Sequence, residues 1–295
     1  MKPIWRLLVD GPAEGVWNMA TDEALLQSAI SGSGMPTLRL YWWDPHTLSL
    51  GANQVAEGVV DGTALEADGY GLVRRPTGGR AILHAEELTY SVIAGTPTGG
   101  TLAAYRWLAE GLRSGLAEAG ITVQLERMKN PRAGGLETQQ PCFTAAGRYE
   151  LVSEGRKVVG SAQRRRDGWL MQHGSILLGP EHLRLPRYLG TPDPAAETAL
   201  LESATTDCSA LLGRSITAGE MIEPFAEGFA RGLGIELDAG SLSREEQELT
   251  ALLCDRRFGT DSWTWHGSRS ESDVPLEHDV EAVSTGQAPS GGRRS

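Results

Sequence analysis

The residues with the clearest chemical potential in this 295-residue chain are Cys142 and Lys157. A cysteine thiolate attacks acyl thioesters, and a nearby ammonium group favours the thiolate by lowering the pKa of the thiol. Cys142 follows the segment 127–141, whose glycines, prolines and glutamines are typical of a mobile loop. Taken alone, a cysteine is more often a small buried hydrophobe, and a lysine at a strand edge is more often a solvated charge. The two residues are therefore a candidate site that needs further support.

A second segment could bind a substrate through its backbone. Residues 74–81 read R-R-P-T-G-G-R-A, and His84 follows closely. Paired glycines let a ligand approach the main chain, and exposed N–H groups beside arginines suit a carbonyl, a carboxylate or a phosphate. An ordinary glycine hairpin with a structural histidine fits the same pattern, so composition alone leaves both interpretations open.

A third region combines small residues with a histidine. Residues 157–163 read K-V-V-G-S-A-Q, and residues 172–176 read Q-H-G-S-I. Small residues within a strand-like run let a thin substrate or another chain pass close to the backbone. The two runs are therefore candidates for the walls of a binding pocket.

Hydrophobic periodicity predicts the elements that position these segments. A helix is predicted for residues 18–30, with Asn18 as its N-cap, and another for residues 102–119, closed by Gly120. Strands are predicted at residues 1–11, 37–43, 47–50, 72–75, 88–94, 149–152, 157–161 and 169–178, with a hairpin turn at residues 154–155. Further helices are predicted after Pro180. Strands and helices that interleave without a regular β-α-β rhythm predict an α+β fold, with a mixed sheet flanked by helices.

One folded unit is predicted for residues 1–265. The segment 266–295 is polar and poor in apolar residues, which is typical of a disordered tail. No apolar run reaches the roughly 18 residues that a membrane-spanning helix needs, and the N-terminus lacks the features of a signal peptide. We therefore expect a cytoplasmic protein with reduced thiols and no membrane partner. Three cysteines without paired spacing predict neither a disulfide framework nor a zinc site.

The net charge of −11 argues against a broad nucleic-acid-binding surface. Basic residues nevertheless cluster in two places, which would form a local basic dock if the fold brought them together. They are Arg74, Arg75 and Arg80 in one cluster, and Arg148, Arg156, Lys157, Arg164, Arg165 and Arg166 in the other. Solvated surface arginines are the simpler interpretation of the same runs.

Six motifs, taken in order, resemble the catalytic domain shared by lipoate-protein ligases, octanoyltransferases and biotin ligases. They lie at residues 18–24, 43–54, 74–84, 157–163, 172–178 and 257–263. One such motif is weak evidence, whereas six in order across residues 4–265 are specific. Within this family, Pro141-Cys142-Phe143 ahead of Tyr149-Glu150 is most similar to the LipM-type octanoyltransferases.

The resemblance implies the fold of the biotinyl/lipoyl protein ligase catalytic domain and an acyl transfer in two steps. Octanoyl would pass from octanoyl-acyl carrier protein to Cys142, and then to a lysine of a lipoyl domain in the glycine-cleavage H protein or an E2 subunit. Lys157 would activate the thiol and the incoming amine. No metal, ATP or other cofactor is implied, and the two arginine clusters would steer acidic partners to one face.

The resemblance also implies a set of substrate-binding residues. The turn at Gly78-Gly79 would support the developing oxyanion, and small side chains would flank the acyl chain. The set comprises Arg75, Thr77, Gly78, Gly79, Arg80, His84, Gly160, Ser161, Ala162, His173 and Gly174.

Three other functions remain open at this level. An ATP-dependent lipoate-protein ligase would use Lys157 to bind an acyl-adenylate and would not need Cys142. An octanoyl amidotransferase that acts between lipoyl domains could share the cysteine chemistry. A non-catalytic lipoyl- or carrier-binding module would need neither residue.

Overall fold

Eight strands form one large mixed sheet. They are β1 (Ile4–Ala13), β2 (Thr37–Trp43), β6 (Glu87–Gly95), β7 (Gln124–Arg127), β8 (Tyr149–Ser153), β9 (Arg156–Arg166), β10 (Trp169–Leu177) and β11 (Glu236–Ala239). The computed structural model describes residues 1–127 and 149–267, and there the strand order is β11-β1-β2-β6-β10-β9-β8-β7. β1 runs parallel to β2 and β11, whereas the remaining neighbours pair antiparallel.

A second, smaller sheet holds the glycine-rich segment. Its strands are β3 (Thr47–Leu50), β4 (Gly71–Arg74) and β5 (Ile82–His84), in the order β4-β3-β5. β3 runs parallel to β4 and antiparallel to β5. Because β4 and β5 flank residues 75–81, this sheet fixes both ends of the predicted glycine turn.

Helices cover both faces of the large sheet. They are α1 (Gly15–Ser31), α2 (Gly62–Ala67), α3 (Gly100–Glu118), α4 (Pro194–Ala204), α5 (Cys208–Leu212), α6 (Ala218–Leu233) and α7 (Arg244–Leu253), with a 3-10 helix at Pro180–Tyr188 and π-helical turns at Cys254–Phe258 and Ser262–His266. On β6, Val92 packs in the core under α3 and α6, whereas its neighbour Ile93 packs under α1. Because successive strand residues face opposite sides, β6 is buried on both faces. The predicted α+β fold with a mixed sheet is confirmed.

The start of α1 differs from the prediction. The helix begins at Gly15, and Glu14 occupies the N-cap position without a side-chain hydrogen bond. Asn18 is fully buried one turn inside the helix, where its amide donates to the carbonyls of Ala13 and Trp42, at 3.1 Å each. The expected cap is therefore wrong, because Asn18 instead joins α1 to the C-terminal ends of β1 and β2.

The hairpin between β8 and β9 agrees with the sequence. Glu154 and Gly155 have φ angles of 51° and 74°, as a tight two-residue hairpin turn requires. The predicted loop beyond Arg127 and the predicted tail beyond Gly267 lie outside the described residues. His266 belongs to the second π-helical turn, so the fold extends slightly past the predicted boundary at residue 265. Within residues 1–127 and 149–267, no helix combines the length and the apolar character needed to cross a membrane.

The helices α3 and α6 approach closely because each presents glycines to the other. A Cβ atom on Gly228 would lie 2.4 Å from the carbonyl oxygen of Ser114, and one on Gly115 would lie 2.8 Å from that of Phe225. Atoms of a well-packed core cannot approach so closely, so any side chain here would force the two helices apart.

We predict that Gly228→Ala lowers the free energy of unfolding by about 1–3 kcal/mol, because the added methyl overpacks this contact. Gly219→Ala, on the same helix, is the matched control, since its Cβ would have its nearest neighbour at 3.9 Å. That variant should keep or raise the stability by up to about 1 kcal/mol, through higher helix propensity. Urea unfolding followed by circular dichroism measures both, and equal stabilities would contradict the close contact.

Candidate active site

A narrow crevice lies between the two sheets, below α1. Six of the predicted substrate-binding residues line it: Arg75, His84, Gly160, Ala162, His173 and Gly174. Met19 of α1, together with Tyr41 and Trp43 of β2, completes the wall. The crevice encloses about 20 Å³. The fold therefore gathers residues from five separate sequence motifs at one place.

A β-bulge at Val158 determines where Lys157 points. Leu151 pairs with Val159, and Val152 pairs with Lys157, so β9 carries one extra residue at this point. Val158 and Val159 both pack into the core under α3. Regular alternation would put Lys157 and Gly160 on opposite faces, because they are three residues apart. The bulge instead brings Lys157 to the face of the sheet that carries Gly160.

Lys157 is held on this face by an ion pair. Its Nζ lies 2.9 Å from Oε2 of Glu150 on β8, and both residues are buried. The carbonyl of Lys157 also accepts a hydrogen bond from the amide of Thr206, at 3.0 Å. A buried ammonium group requires such compensation, so Glu150 stabilises the lysine in this position.

The glycines of β9 and β10 bring bare backbone to the crevice. A Cβ atom on Gly174 would lie 2.1 Å from the carbonyl oxygen of Gly160 and 2.8 Å from the ring of Tyr90. No side chain fits there without displacing β9. Gly174 is therefore required for strand packing, and its backbone forms part of the crevice wall.

The glycine turn is held from inside by Arg75. The guanidinium donates to the carbonyls of Gly78, at 3.0 Å, and Arg80, at 2.7 Å. Gly79 has a φ of 103°, a conformation that favours glycine, and a Cβ atom on Gly51 would lie 1.9 Å from the carbonyl oxygen of Gly79. Gly78 and Gly79 are exposed and Arg80 is half-buried, so the turn lies at the surface with its anchor beneath it.

The first arginine cluster does not form an exposed basic dock. Arg74 and Arg75 are only 1% and 2% exposed. Arg74 donates to the carbonyls of Gly51 and Gln54, at 2.7 Å each, and to that of Trp263, at 2.8 Å. These guanidinium groups are buried and bind backbone carbonyls, so the docking interpretation is wrong for both residues.

The second cluster divides along β9. Arg164 forms an ion pair of 2.9 Å with the buried Glu23 of α1. Arg165 is exposed and Arg166 is partly exposed at the C-terminal end of the strand. Arg148 lies outside the described residues. Lys157 begins the strand and these arginines end it, which separates them by roughly 25 Å at about 3.3 Å per residue.

A buried network connects the wall of the crevice to the glycine turn. His173 Nδ1 lies 2.9 Å from Oδ2 of Asp22, and its Nε2 lies 2.6 Å from Oγ1 of Thr77. Asp22 also accepts from Tyr41, at 3.0 Å, and from Nη1 of Arg39, at 2.9 Å. Every member of the network is buried. The residues come from α1, β2, β10 and the turn, so the network joins four parts of the fold.

Burial and charge determine the protonation of this network. Burial alone would raise the pKa of Asp22, but the hydrogen bond from His173 and the charge of Arg39 hold the pKa below its usual value. Burial lowers the pKa of His173, although Asp22 opposes that shift. Burial raises the pKa of Tyr41 well above its usual value. At neutral pH the network therefore holds a carboxylate, a neutral imidazole and a protonated phenol.

His84 is a structural wall residue. Its ring stacks on Trp43, with a centroid distance of 3.9 Å, and its Nδ1 lies 2.8 Å from Oε1 of Glu87. Its Nε2 lies 2.7 Å from Oγ of Ser49. Both ring nitrogens are thus engaged, and the ring contributes to the wall of the crevice.

Ser161 does not face the crevice with its neighbours. Its Oγ lies 2.6 Å from the hydroxyl of Tyr90, on the side of β9 that faces α3. There it lines a separate cavity of about 550 Å³, with Leu102, Tyr105 and Leu112 on the opposite wall. Strand alternation places Gly160 and Ala162 on one face and Ser161 on the other, so these three predicted substrate-binding residues do not line one cavity together.

The two cysteines that the structure describes are poor nucleophiles. Cys208 is fully buried, and burial with the nearby Asp207 raises its pKa to about 12. Burial likewise raises the pKa of Cys254 to about 11. A thiol with so high a pKa is almost entirely protonated at neutral pH. Cys142 lies outside the described residues.

The sequence pattern overlooked the carboxylate of the network. The sequence predicts Asp22 only as a residue of the helix 18–30, and Arg39 only as a residue of the strand 37–43. Two signals mark them. Asn18 and Asp22 share one helix face four residues apart, where the neighbouring residues are apolar, and a charged Arg39 inside an apolar strand demands a buried partner. No cluster of metal-ligating side chains is present within residues 1–127 and 149–267.

The lowered pKa of His173 predicts a pH-dependent stability. Below about pH 6.5 the unfolded chain binds a proton that the native imidazole resists, so stability falls as the pH falls from that point. His173→Gln removes this titration, and its free energy of unfolding should decline less steeply than that of the wild type between about pH 6.5 and pH 5. Urea unfolding at several pH values measures the slopes. An unchanged slope would contradict a neutral buried imidazole.

The chain resembles known proteins over most of its length. Residues 14–230 match the family model of the lipoyl protein ligase A/B catalytic domain. The octanoyltransferase LipM of Symbiobacterium thermophilum is 42% identical over 272 residues, which cover 89% of this chain and 98% of that protein. The LipM of Bacillus subtilis is 35% identical over 280 residues, with 90% and 99% covered.

Solved structures share the fold. A bi-partite lipoate protein ligase from Thermoplasma acidophilum has a TM-score of 0.75 at 22% identity, covering 91% of this chain and 99% of that one. A lipoate-protein ligase A bound with ATP has a TM-score of 0.73 at 22% identity, covering 90% and 99%. At this identity the likeness concerns the fold alone. The matched family model and the sequence relatives go further, and the chain belongs to the lipoyl protein ligase A/B catalytic-domain family and, within it, to the LipM-type octanoyltransferases.

Proposed function

We propose that this protein transfers an octanoyl group from octanoyl-acyl carrier protein to a lysine of a lipoyl domain, through a thioester on Cys142. Membership of the LipM-type octanoyltransferases supports the transferred group and its place in lipoate biosynthesis. In the first step the thiolate attacks the carrier thioester and releases the carrier thiol. In the second step the lysine amine attacks the acyl-cysteine, which forms the amide and frees the sulfur.

The observation that carries this proposal is the state of the other cysteines. Cys208 and Cys254 have pKa values raised to about 12 and about 11, so neither supplies a thiolate at neutral pH. Cys142 is the one remaining thiol of the chain. Its position before Tyr149-Glu150 in the sequence brings it close along the chain to the strand that holds the partner of Lys157.

Lys157 is the group that we propose to assist both steps. The bulge at Val158 turns it towards the face that carries Gly160, and Glu150 holds its ammonium group at 2.9 Å. A cation in this position stabilises a thiolate and a developing oxyanion by direct attraction. The backbone of the Gly78-Gly79 turn is a second candidate for stabilising the oxyanion.

The crevice is the proposed path of the acyl chain. Gly160 and Ala162 form a floor without large side chains, and Met19 with Ile82 supplies apolar walls. Each buried methylene would contribute about 0.8 kcal/mol to binding. The present volume of about 20 Å³ holds about one water molecule, so the walls must move apart for an octanoyl group to enter.

We further propose that two acidic proteins, the carrier and the lipoyl domain, bind in turn near this crevice. A chain with a net charge of −11 repels acidic partners on average, so local basic residues must guide them. Of the predicted dock, Arg165 is exposed and Arg166 partly so, whereas Arg74 and Arg75 are internal. The C-terminal end of β9 is therefore the better candidate for steering.

We predict that Cys142→Ala abolishes both the acyl-enzyme and the octanoylated lipoyl domain while the protein stays folded. The test incubates enzyme with octanoyl-acyl carrier protein and a lipoyl domain, with and without ATP, and follows both by intact-mass spectrometry. Cys254→Ala is the matched control and should form the acyl-enzyme as the wild type does. Lys157→Met should slow turnover by at least about 100-fold, as loss of a group that stabilises a developing oxyanion does.

Other outcomes would point elsewhere. Product that Cys142→Ala forms only when ATP and free octanoate are both supplied would replace the proposal with a lipoate-protein ligase. An enzyme that takes octanoyl from an octanoylated lipoyl domain, but cannot take it from octanoyl-acyl carrier protein, would be an amidotransferase. If the wild type forms neither the acyl-enzyme nor the product, the protein would be a non-catalytic binding module.

A further inference from the structure

The buried network around Asp22 has a fixed direction of hydrogen bonding. An ionised carboxylate can only accept, so the Nδ1 of His173 must donate its proton to Asp22. The Nε2 of the neutral imidazole then has a lone pair and no proton. The hydroxyl of Thr77, 2.6 Å away, must therefore donate to Nε2. The remaining lone pairs of this hydroxyl can only accept.

This arrangement lies against the crevice. His173 lines it directly, and Thr77 begins the turn that Arg75 anchors. Thr77 is only 1% exposed, so its hydroxyl meets a substrate when the walls part to admit one. The groups that a substrate can offer to a pure acceptor are N–H, O–H and S–H donors.

We propose that Asp22, His173 and Thr77 form a proton relay that receives a proton from the attacking lysine amine. The inference rests on the proposed octanoyl transfer and deepens it, since it assigns the base of the second step. Thr77 is the group that touches the amine, whereas Asp22 acts as a positioning residue through His173.

The chemistry balances as follows. The amine nitrogen forms a bond to the acyl carbon, and the electrons of the carbonyl π bond move to its oxygen. One proton of the nitrogen passes to the oxygen of Thr77 while the hydroxyl proton of Thr77 moves to Nε2 of His173. When the carbon–sulfur bond breaks, the proton returns by the same path to the sulfur, which leaves an amide and a free thiol.

The other buried histidine–threonine pair shows what Asp22 adds. His182 Nε2 lies 2.8 Å from Oγ1 of Thr205, but its Nδ1 faces the carbonyl of Gly179 at 3.1 Å. A carbonyl orients the ring and carries no net charge, whereas the carboxylate of Asp22 stabilises the imidazolium that a proton relay must form. Glu87, His84 and Ser49 form a similar set of carboxylate, imidazole and hydroxyl. The Ser49 hydroxyl, however, already accepts a hydrogen bond from Nη1 of Arg75, at 3.1 Å, so the Thr77 pair is the better candidate for a relay.

Charged and titratable groups surround His173 from several elements. Asp22 of α1 favours the imidazolium, while Arg75 beside the turn and His84 of β5 disfavour it. Arg39 and Tyr41 of β2 donate hydrogen bonds to Asp22, and Glu87 of β6 contacts His84, so these groups act on His173 indirectly. Because the pKa of His173 is lowered, the second step should slow only at a pH below the ordinary histidine range, where an imidazole that has gained a proton cannot accept another.

The test separates the two half-reactions. Wild-type and Thr77→Val enzymes are loaded with octanoyl from octanoyl-acyl carrier protein, and the acyl-enzyme is then discharged either by a lipoyl domain or by hydroxylamine. When hydroxylamine attacks the acyl-cysteine, the nitrogen of the tetrahedral adduct is acidic enough to lose its proton directly to water. Discharge by hydroxylamine therefore needs no relay. We expect Thr77→Val to slow discharge to the lipoyl domain by about 100-fold or more and to leave discharge to hydroxylamine almost unchanged.

Further variants exclude a purely structural role. Thr77→Ser should restore lysine transfer, because it returns the hydroxyl. Thr250→Val, at a buried threonine that donates to the backbone carbonyl of Glu246, should change neither reaction. If Asp22→Asn folds, it should lower the rate and move the acid limb of the pH profile for lysine transfer to lower pH, because the imidazolium loses its carboxylate.

The outcomes distinguish the relay from the function it rests on. Failure of the wild type to form an acyl-enzyme would end the proposed octanoyl transfer. A wild type that loads normally, with Thr77→Val transferring to the lipoyl domain at the same rate, would overturn the relay alone. Equal slowing of the lysine and hydroxylamine reactions would reduce Thr77 to a structural residue and also overturn it.

Discussion

The buried ion pair between Arg39 and Asp22 is the interaction on which the site depends. Arg39 lies in the middle of β2 with its side chain fully buried, and its Nη1 is 2.9 Å from Oδ1 of Asp22. Arg39 also contacts Asp10 of β1, so it is the loss of Arg39 that would leave Asp22 as a buried charge without a cation, at a cost on the order of 3–5 kcal/mol. The pair thus fixes the rotation of α1, and the second carboxylate oxygen faces His173.

A second constraint acts on the strands, because the walls of the crevice must come from one face of β9 and β10. Simple alternation would have turned Lys157 away from Gly160. The bulge at Val158 corrects this by placing two valines in the core, so apolar packing under α3 holds the lysine on the other side. The position of a functional charge therefore depends on the burial of two hydrophobic neighbours.

The sequence predicted eight of the eleven strands that the structure describes, and the longest helices, since their periodicity is local. It missed the short strands β5, β7 and β11, which have three or four residues each and too few positions for a clear alternation. It also identified the motifs that line the crevice, through the family resemblance. It could not predict the bulge, because an extra strand residue leaves no signal in the alternation of a run as short as K-V-V-G. It misassigned Asn18 and Arg74 and gave no role to Asp22, because their roles depend on partners distant in the chain. Asn18 and Asp22 contact β2, and Arg74 contacts the segment near Trp263. Polar residues within apolar patterns are the ones whose partners local reasoning cannot supply.

Stability alone does not explain why the interior holds so much charge. Replacing a buried ion pair by well-packed apolar residues is often neutral or even stabilising, by about 1–4 kcal/mol. Asp22 and Arg39 could in principle give way to apolar residues without loss of the core. What such a replacement could not keep is a carboxylate that holds the Nδ1 proton of His173 and leaves its Nε2 free to accept from Thr77. The charge is best understood as serving the protonation state of the crevice wall, and the fold tolerates its desolvation because each oxygen of Asp22 has a donor.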